Sequence, residues 1–192
     1  MSGAGVLALV VGPSGAGKDT LIAAARQRLL PGEKVVFVRR YITRDGNAGG
    51  EPHITISTRD FSALADRGGF ALHWQAHGLS YGIPTSIVAD LDAGRTVVAN
   101  ASRTVVPAAR ARFERLVIAH VTAAPAVRAA RLAGRGRESE VEILRRLERA
   151  GVADPQGDDV VTIDNGGMLD DAVARFLEVI AAGDGSPVLS VD

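Results

Sequence analysis

The 192-residue chain has no cysteine, which removes disulfides, thiolate nucleophiles and cysteine-ligated metals together. Lysine is nearly missing as well. Lys18 and Lys34 are the only two, while Lys and Arg together number 22, so each lysine departs from the chain's habit of using arginine. Neither sign of charge prevails: 22 acidic residues balance the 22 basic ones and the net charge is zero. A non-specific nucleic-acid binder, which needs a basic excess, is thereby disfavoured. No apolar run approaches the roughly 18 residues of a membrane span, and the first residues show no basic-then-apolar leader. The expectation is a soluble, cytoplasmic protein that works on small molecules, without nucleic-acid or membrane partners. What is present is a 46% hydrophobic content, ample for a buried core and incompatible with global disorder. The length fits one domain, or one core carrying a small insert.

Apolar runs and breakers alternate along the chain. Val6–Val11 is apolar throughout, the pattern of a strand buried on both faces. A glycine-rich turn and a helix from Lys18 to about residue 30 follow, stopped by Pro31-Gly32. Further strands are expected at 35–38, 53–57, 70–76, 96–100, 116–121 and 160–163. Helices are expected at 61–66, 85–93, 105–113 and 169–181, and as a broken pair over 125–150. Residues 45–52 read as a loop. Ser57 and Asp60 have capping-box spacing, with Asp in the usual place of Glu. The rhythm is that of an α/β fold with a mainly parallel sheet. Residues 1–182 are expected to form one domain with an insert over about 40–84, and 183–192 are expected to be a frayed tail.

Gly12-Pro13-Ser14-Gly15-Ala16-Gly17-Lys18-Asp19-Thr20 matches G-x-x-x-x-G-K followed by a position normally held by Ser or Thr. Glycines let several backbone N–H groups converge on one anion, and the helix starting at Lys18 adds its positive end. Lys18 would set an ammonium on the outer phosphates of a nucleoside triphosphate. Asp19 is a departure: a carboxylate there could hold Mg²⁺ directly, through water, or not at all. ATP is the expected co-substrate and Mg²⁺ its companion, with no metal ligands assigned. Neither Asn100 nor His120, at the ends of two core strands, supplies the aspartate of a hydrolysing motor. Among the four histidines no metal-ligand spacing occurs. Trp74 and Phe70 read as core residues rather than stacking platforms.

In order and spacing, Gly12–Thr20, Thr43-Arg44, Tyr81-Gly82 and the run Arg131 to Glu140 resemble the guanylate kinase superfamily over roughly residues 6–180. Within it, Arg40-Tyr-Ile-Thr-Arg-Asp45, Glu51-Pro-His53 and Arg135-Gly-Arg-Glu138 are similar to the ribose 1,5-bisphosphate phosphokinases. The resemblance implies a three-layer P-loop kinase fold with a small acceptor-binding insert and a mobile, arginine-bearing lid over about 128–142. It also implies γ-phosphate transfer from ATP to a sugar phosphate in phosphonate breakdown, yielding 5-phosphoribosyl 1-diphosphate. Guanylate kinase itself, or a non-catalytic binding module of that shape, are the alternative readings.

The resemblance also distributes roles. Lys18, Arg135 and Arg137 would be catalytic; residues 12–20, Arg131 and Asn165 would hold the nucleotide. Arg40, Arg44, Glu51, His53, Tyr81, Asn100 and Arg103 would hold the acceptor. The positions at which guanylate kinases read guanine correspond to His73, Ile83, and Asn100 with Ser102. Ile83 offers no acceptor for the base's donors, so the base reader is dismantled while the phosphate loop persists. The second phosphate-binding arginine falls at Asn47, leaving a doubly anionic sugar short of one cation. Arg128, Arg131, Arg135 and Arg137 around Gly134-Arg-Gly136 suit a closing lid, or a solvated face paired with Glu138, Glu140 and Glu142. Arg145, Arg146 and Arg149 read as surface charges.

Overall fold

A computed structural model describes residues 5–29, 34–44, 52–134 and 152–182. Ten of the described elements build the main layer system: β1 (Val6–Val11), α1 (Lys18–Arg28), β2 (Val35–Phe37), α3 (Ile87–Asp92), β7 (Thr96–Asn100), α4 (Val106–Arg112), β8 (Leu116–Thr122), α5 (Pro125–Ala133), β9 (Val160–Asp164) and α6 (Leu169–Ala182). Between β2 and α3 lie β3 (Tyr41–Ile42), β4 (Ile54–Thr55), α2 (Thr58–Asp66), β5 (Phe70–Ala76) and β6 (Leu79–Pro84). The mainly parallel α/β sheet expected from the sequence is observed. Five strands run in the order β2-β7-β1-β8-β9, every pairing parallel.

β1 is buried along its whole length, and its side chains divide by parity as strand geometry requires. Leu7, Leu9 and Val11 join Val97, Ala99 and Ile118 on one face. Ala8 and Val10 join Val98, Ala119 and Val121 on the other, beneath α1 and α6. There Leu21 and Ala25 of α1 meet Phe176, Val173 and Ile180 of α6. A strand covered on both faces has no polar side, which is why its sequence is apolar throughout.

The second sheet has the order β4-β3-β6-β5, with β5 and β6 antiparallel. Its Leu72, Trp74 and Ile83 pack into the same cluster as β1, so the insert is welded to the main core. Ser57 caps α2: its Oγ accepts from Asp60 N–H at 3.0 Å and donates to the Asp60 carboxylate at 2.7 Å. The serine half of the capping box is thus made, while the shorter Asp60 accepts from the serine hydroxyl instead of the backbone N–H that a Glu would reach.

The strand expected at 53–57 shrinks to Ile54–Thr55, and β6 was not expected at all. His77 and Gly78 join β5 to β6, both with positive φ (52° and 73°), the two-residue turn whose twist matches a hairpin. The sequence cue was the His-Gly pair between two strand-like runs. Residues 135–151 and 183–192, hence the second half of the expected lid, the tail, Arg145, Arg146 and Arg149, lie outside the described residues. Among the described residues no helix is long and apolar enough to cross a membrane.

Phe176 is fully buried at the centre of the α1–α6 layer. Phe176→Ala is expected to lower unfolding free energy by about 3–5 kcal/mol, as transfer and cavity costs combine. A urea titration followed by circular dichroism reads this directly.

Candidate active site

Two glycines shape the loop after β1. Gly12 has φ 148° and lies so close to β8 that a Cβ would overlap the Val121 carbonyl oxygen. Gly17 caps α1 in the left-handed region, φ 86° and ψ 24°, with no side-chain cap, which only glycine adopts at little cost. The first N–H groups of α1 therefore face the loop's concave side, the arrangement that holds a phosphate. Lys18 opens the helix and arches back, its ammonium donating to the carbonyls of Gly12 at 2.9 Å and Pro13 at 3.2 Å. Ser14 lines the cleft, while Thr20 stands exposed on the first turn of α1.

The loop is held from below at one atom. The amide of Asn165 donates to the Ala16 carbonyl at 2.8 Å, and Arg131 reaches the same oxygen at 3.4 Å. Arg131 also donates to the Asn165 carbonyl at 2.8 Å. Both residues assigned to the nucleotide from the sequence thus grip the back of the phosphate loop. Asn165 is 2% exposed, and a Cβ on Gly17 would meet its amide.

Facing the loop is a cleft of about 240 Å³ lined by Lys18, Asp19, Arg40, Trp74, Tyr81 and Asn100, with Ala76, His77 and Ser102 further along. Its wall is a parallel pair of rings, Trp74 on Tyr81, with centroids 5.4 Å apart and planes 7° from parallel. The pair sits at facing positions on β5 and β6. The Arg40 guanidinium lies over both rings, 5.6 Å from Trp74 and 5.3 Å from Tyr81. Burial pushes its pKa down to about 10; Asp19 and Tyr81 pull upward and Arg44 adds to the fall. Even so Arg40 is charged at neutral pH, a cation kept in a poorly hydrated place where an anion would be bound strongly.

Asn100 closes the cleft's floor, its amide donating to the Asp19 carboxylate at 2.6 Å. The strand end that lacks an aspartate therefore supplies an amide that orients the aspartate on α1. This carboxylate, beside the phosphate loop, is a hard oxygen ligand of the type Mg²⁺ takes. Among the described residues no group of three or more His, Asp or Glu could hold a metal. The fit is to a cation shared with substrate phosphates, not to a protein cage.

The remaining sequence-assigned residues are placed as follows. Arg44 Nη2 lies 3.4 Å from His53 Nδ1, on the insert near Arg40. Arg103 is not among the cleft's lining residues; it donates to Asp154 at 2.5 Å. Asp154 also lies 3.2 Å from His120 Nε2. Burial, the larger influence, holds the His120 pKa below its ordinary value against the upward pull of Asp154. Glu51, Arg135 and Arg137 lie outside the described residues. Trp74 corrects the sequence reading: at 8% exposure it belongs to the core, yet it also forms the cleft's stacked wall. His73 and Ile83 do not face the cleft. Ile83 is fully buried in the core, and His73, exposed, lies against Phe61 and Phe70 on the sheet's opposite side. Strand parity decides this, since Trp74 and His73 are neighbours in sequence.

No family model matches the chain. It is 47% identical over 178 residues to ribose 1,5-bisphosphate phosphokinase PhnN of Agrobacterium fabrum, covering 93% of this chain and 97% of that one. To the protein of the same name from Acidiphilium cryptum it is 52% identical over 180 residues, 94% of each chain. Among solved structures, a guanylate kinase from Anaplasma phagocytophilum aligns with a TM-score of 0.67 at 16% identity, covering 98% of this chain and 91% of that one. That likeness establishes the shared fold.

Because the folded-state pKa of Arg40 lies below its ordinary value, its charge costs stability at neutral pH, and the cost is relieved only above about pH 10. Arg40→Met is expected to raise unfolding free energy by about 1 kcal/mol while weakening binding of a sugar phosphate at least tenfold. Thermal melts and calorimetry on one variant check both signs.

Proposed function

The chain belongs to the ribose 1,5-bisphosphate phosphokinase family, and we propose from this that it transfers the γ-phosphoryl group of ATP to ribose 1,5-bisphosphate, giving ADP and 5-phosphoribosyl 1-diphosphate. The observation that carries the reading is the pairing of an intact phosphate loop with a cleft whose wall is Arg40 on two stacked rings. Such a wall suits an anion and offers no carboxylate to the donors of a guanine base.

A 1-phosphate oxygen attacks the γ-phosphorus as the bond to the β,γ-bridging oxygen breaks, and ADP leaves with that electron pair. The attacking oxygen is already anionic, so no side chain need remove a proton. The loop N–H groups and the start of α1 hold the donor's β- and γ-phosphates. Lys18 exchanges its two backbone carbonyls for phosphate oxygens and tracks the charge of the moving group. Arg40, Arg44 and Tyr81 fix the acceptor phosphate in line with the donor. Arg131 and Asn165 keep the loop's curvature, so its donors need not rearrange during transfer. Asp19, together with the substrate phosphates, would hold Mg²⁺, which would supply positive charge against the nucleotide phosphates. Arg135 and Arg137 are assigned to the transferring phosphate from the family resemblance, and the setting from the same source is phosphonate breakdown; the cytoplasm as its place is inferred from the sequence composition.

ADP release followed with ATP and Mg²⁺, with ribose 1,5-bisphosphate in one series and GMP in another, tests the acceptor. Turnover is expected with the sugar alone; turnover with GMP alone would return the chain to the guanylate kinases. Lys18→Ala is expected to cost at least a hundredfold in kcat, in line with losing one preorganised charge on the transition state, with an unchanged melting temperature. Normal turnover in that variant overturns the mechanism.

A further inference from the structure

His77 is the only non-glycine residue of positive φ among the described residues. It occupies the first position of the two-residue turn joining β5 and β6, where asparagine or aspartate is usual and any side chain carries some strain. Its exposed imidazole is engaged by no hydrogen bond or ion pair among the described residues, and it lines the cleft together with Trp74, Ala76 and Tyr81. Two residues of extended strand, Gln75 and Ala76, separate it from Trp74, three chain steps that span about 10 Å. Lys18 and Arg40 line the cleft beside the phosphate loop and the Trp74 ring, and His77 lines it from the β5–β6 hairpin.

Two phosphates on one small sugar need two anchoring points. The cleft has a strong cationic one beside the phosphate loop. Arg103, assigned to the acceptor from the sequence beside Arg40 and Arg44, is taken by Asp154. Sequence reading left the acceptor one cation short, and the hairpin tip supplies the group that linear spacing could not suggest. A non-glycine residue held in a left-handed turn at the rim of a site points to a use for its side chain.

We propose that His77 is a specificity-determining residue, whose imidazole N–H donates to the 5-phosphate of ribose 1,5-bisphosphate while the 1-phosphate lies at Arg40. This rests on the acceptor assignment above. His77→Asn is the informative variant, because asparagine takes the left-handed turn readily and keeps the hairpin. Binding of ribose 1,5-bisphosphate and of ribose 1-phosphate is measured by calorimetry on wild type and variant, beside kcat with the bisphosphate. The expected result is a loss of about tenfold for the bisphosphate, none for ribose 1-phosphate, and an unchanged KM for ATP and melting temperature. Equal losses for both ligands, or none for either, overturn the assignment. If wild type turns over the bisphosphate and the variant matches it throughout, only the role of His77 falls. If wild type neither binds nor turns over the bisphosphate, the acceptor reading and the role of His77 fall together.

Discussion

The site depends on the sealing of β1 between two helical layers. Its six side chains are buried, and it pairs in parallel with β7 on one side and β8 on the other. The end of such a strand cannot wander, so Gly12 emerges at a fixed point against the Val121 carbonyl. Asn165 and Arg131 then hold the Ala16 carbonyl at the far side of the same turn. A loop pinned at both ends presents its N–H groups without reorganisation, and that fixed field is the main resource phosphoryl transfer draws on.

A chain of zero net charge can still set cations where an anion would bind. Lys18 and Arg40 line the cleft beside the loop, Arg44 lies close enough to Arg40 to influence its charge, and Asp19 is oriented by the amide of Asn100. Arg40 shows the cost of this arrangement and its offset. Desolvation lowers its pKa, while Asp19 and the faces of Trp74 and Tyr81 retain the charge. The pair Arg110–Asp159 is the opposite case. Its hydrogen bond raises the arginine's pKa and lowers the aspartate's, yet it stands in solvent, where such pairs stabilise little. Short contact distance alone does not mark the charges that matter; burial does.

The cleft also shows how one fold exchanges acceptors. A guanylate kinase at 16% identity shares the architecture, while in this chain the insert's sheet carries an arginine-capped aromatic wall and a fully buried Ile83. In this chain the wall residues sit on β5, β6 and the segment before β3, outside the five-stranded sheet. The sheet, loop and helix layers that support the donor site can stay as they are, which is why fold alone leaves the substrate open.

The main sheet's strands, the phosphate loop, Lys18 and the Ser57 cap were legible along the chain, because each is a local pattern: an all-apolar run, a glycine spacing, a hydroxyl three residues before an acid. The sequence also carried the family, through motifs in order along nearly the whole chain. β3 escaped because two residues, Tyr41–Ile42, are too few to show a period, and β6 because its hairpin turn is His-Gly instead of Asn-Gly. Only the tertiary structure decided that Asn165 and Arg131 grip Ala16, that Arg103 is spent on Asp154, and that Trp74 faces the cleft while His73 does not. Those relations join positions up to 149 residues apart or divide adjacent ones by strand parity. They are set by how elements pack, and no window along the chain contains both partners.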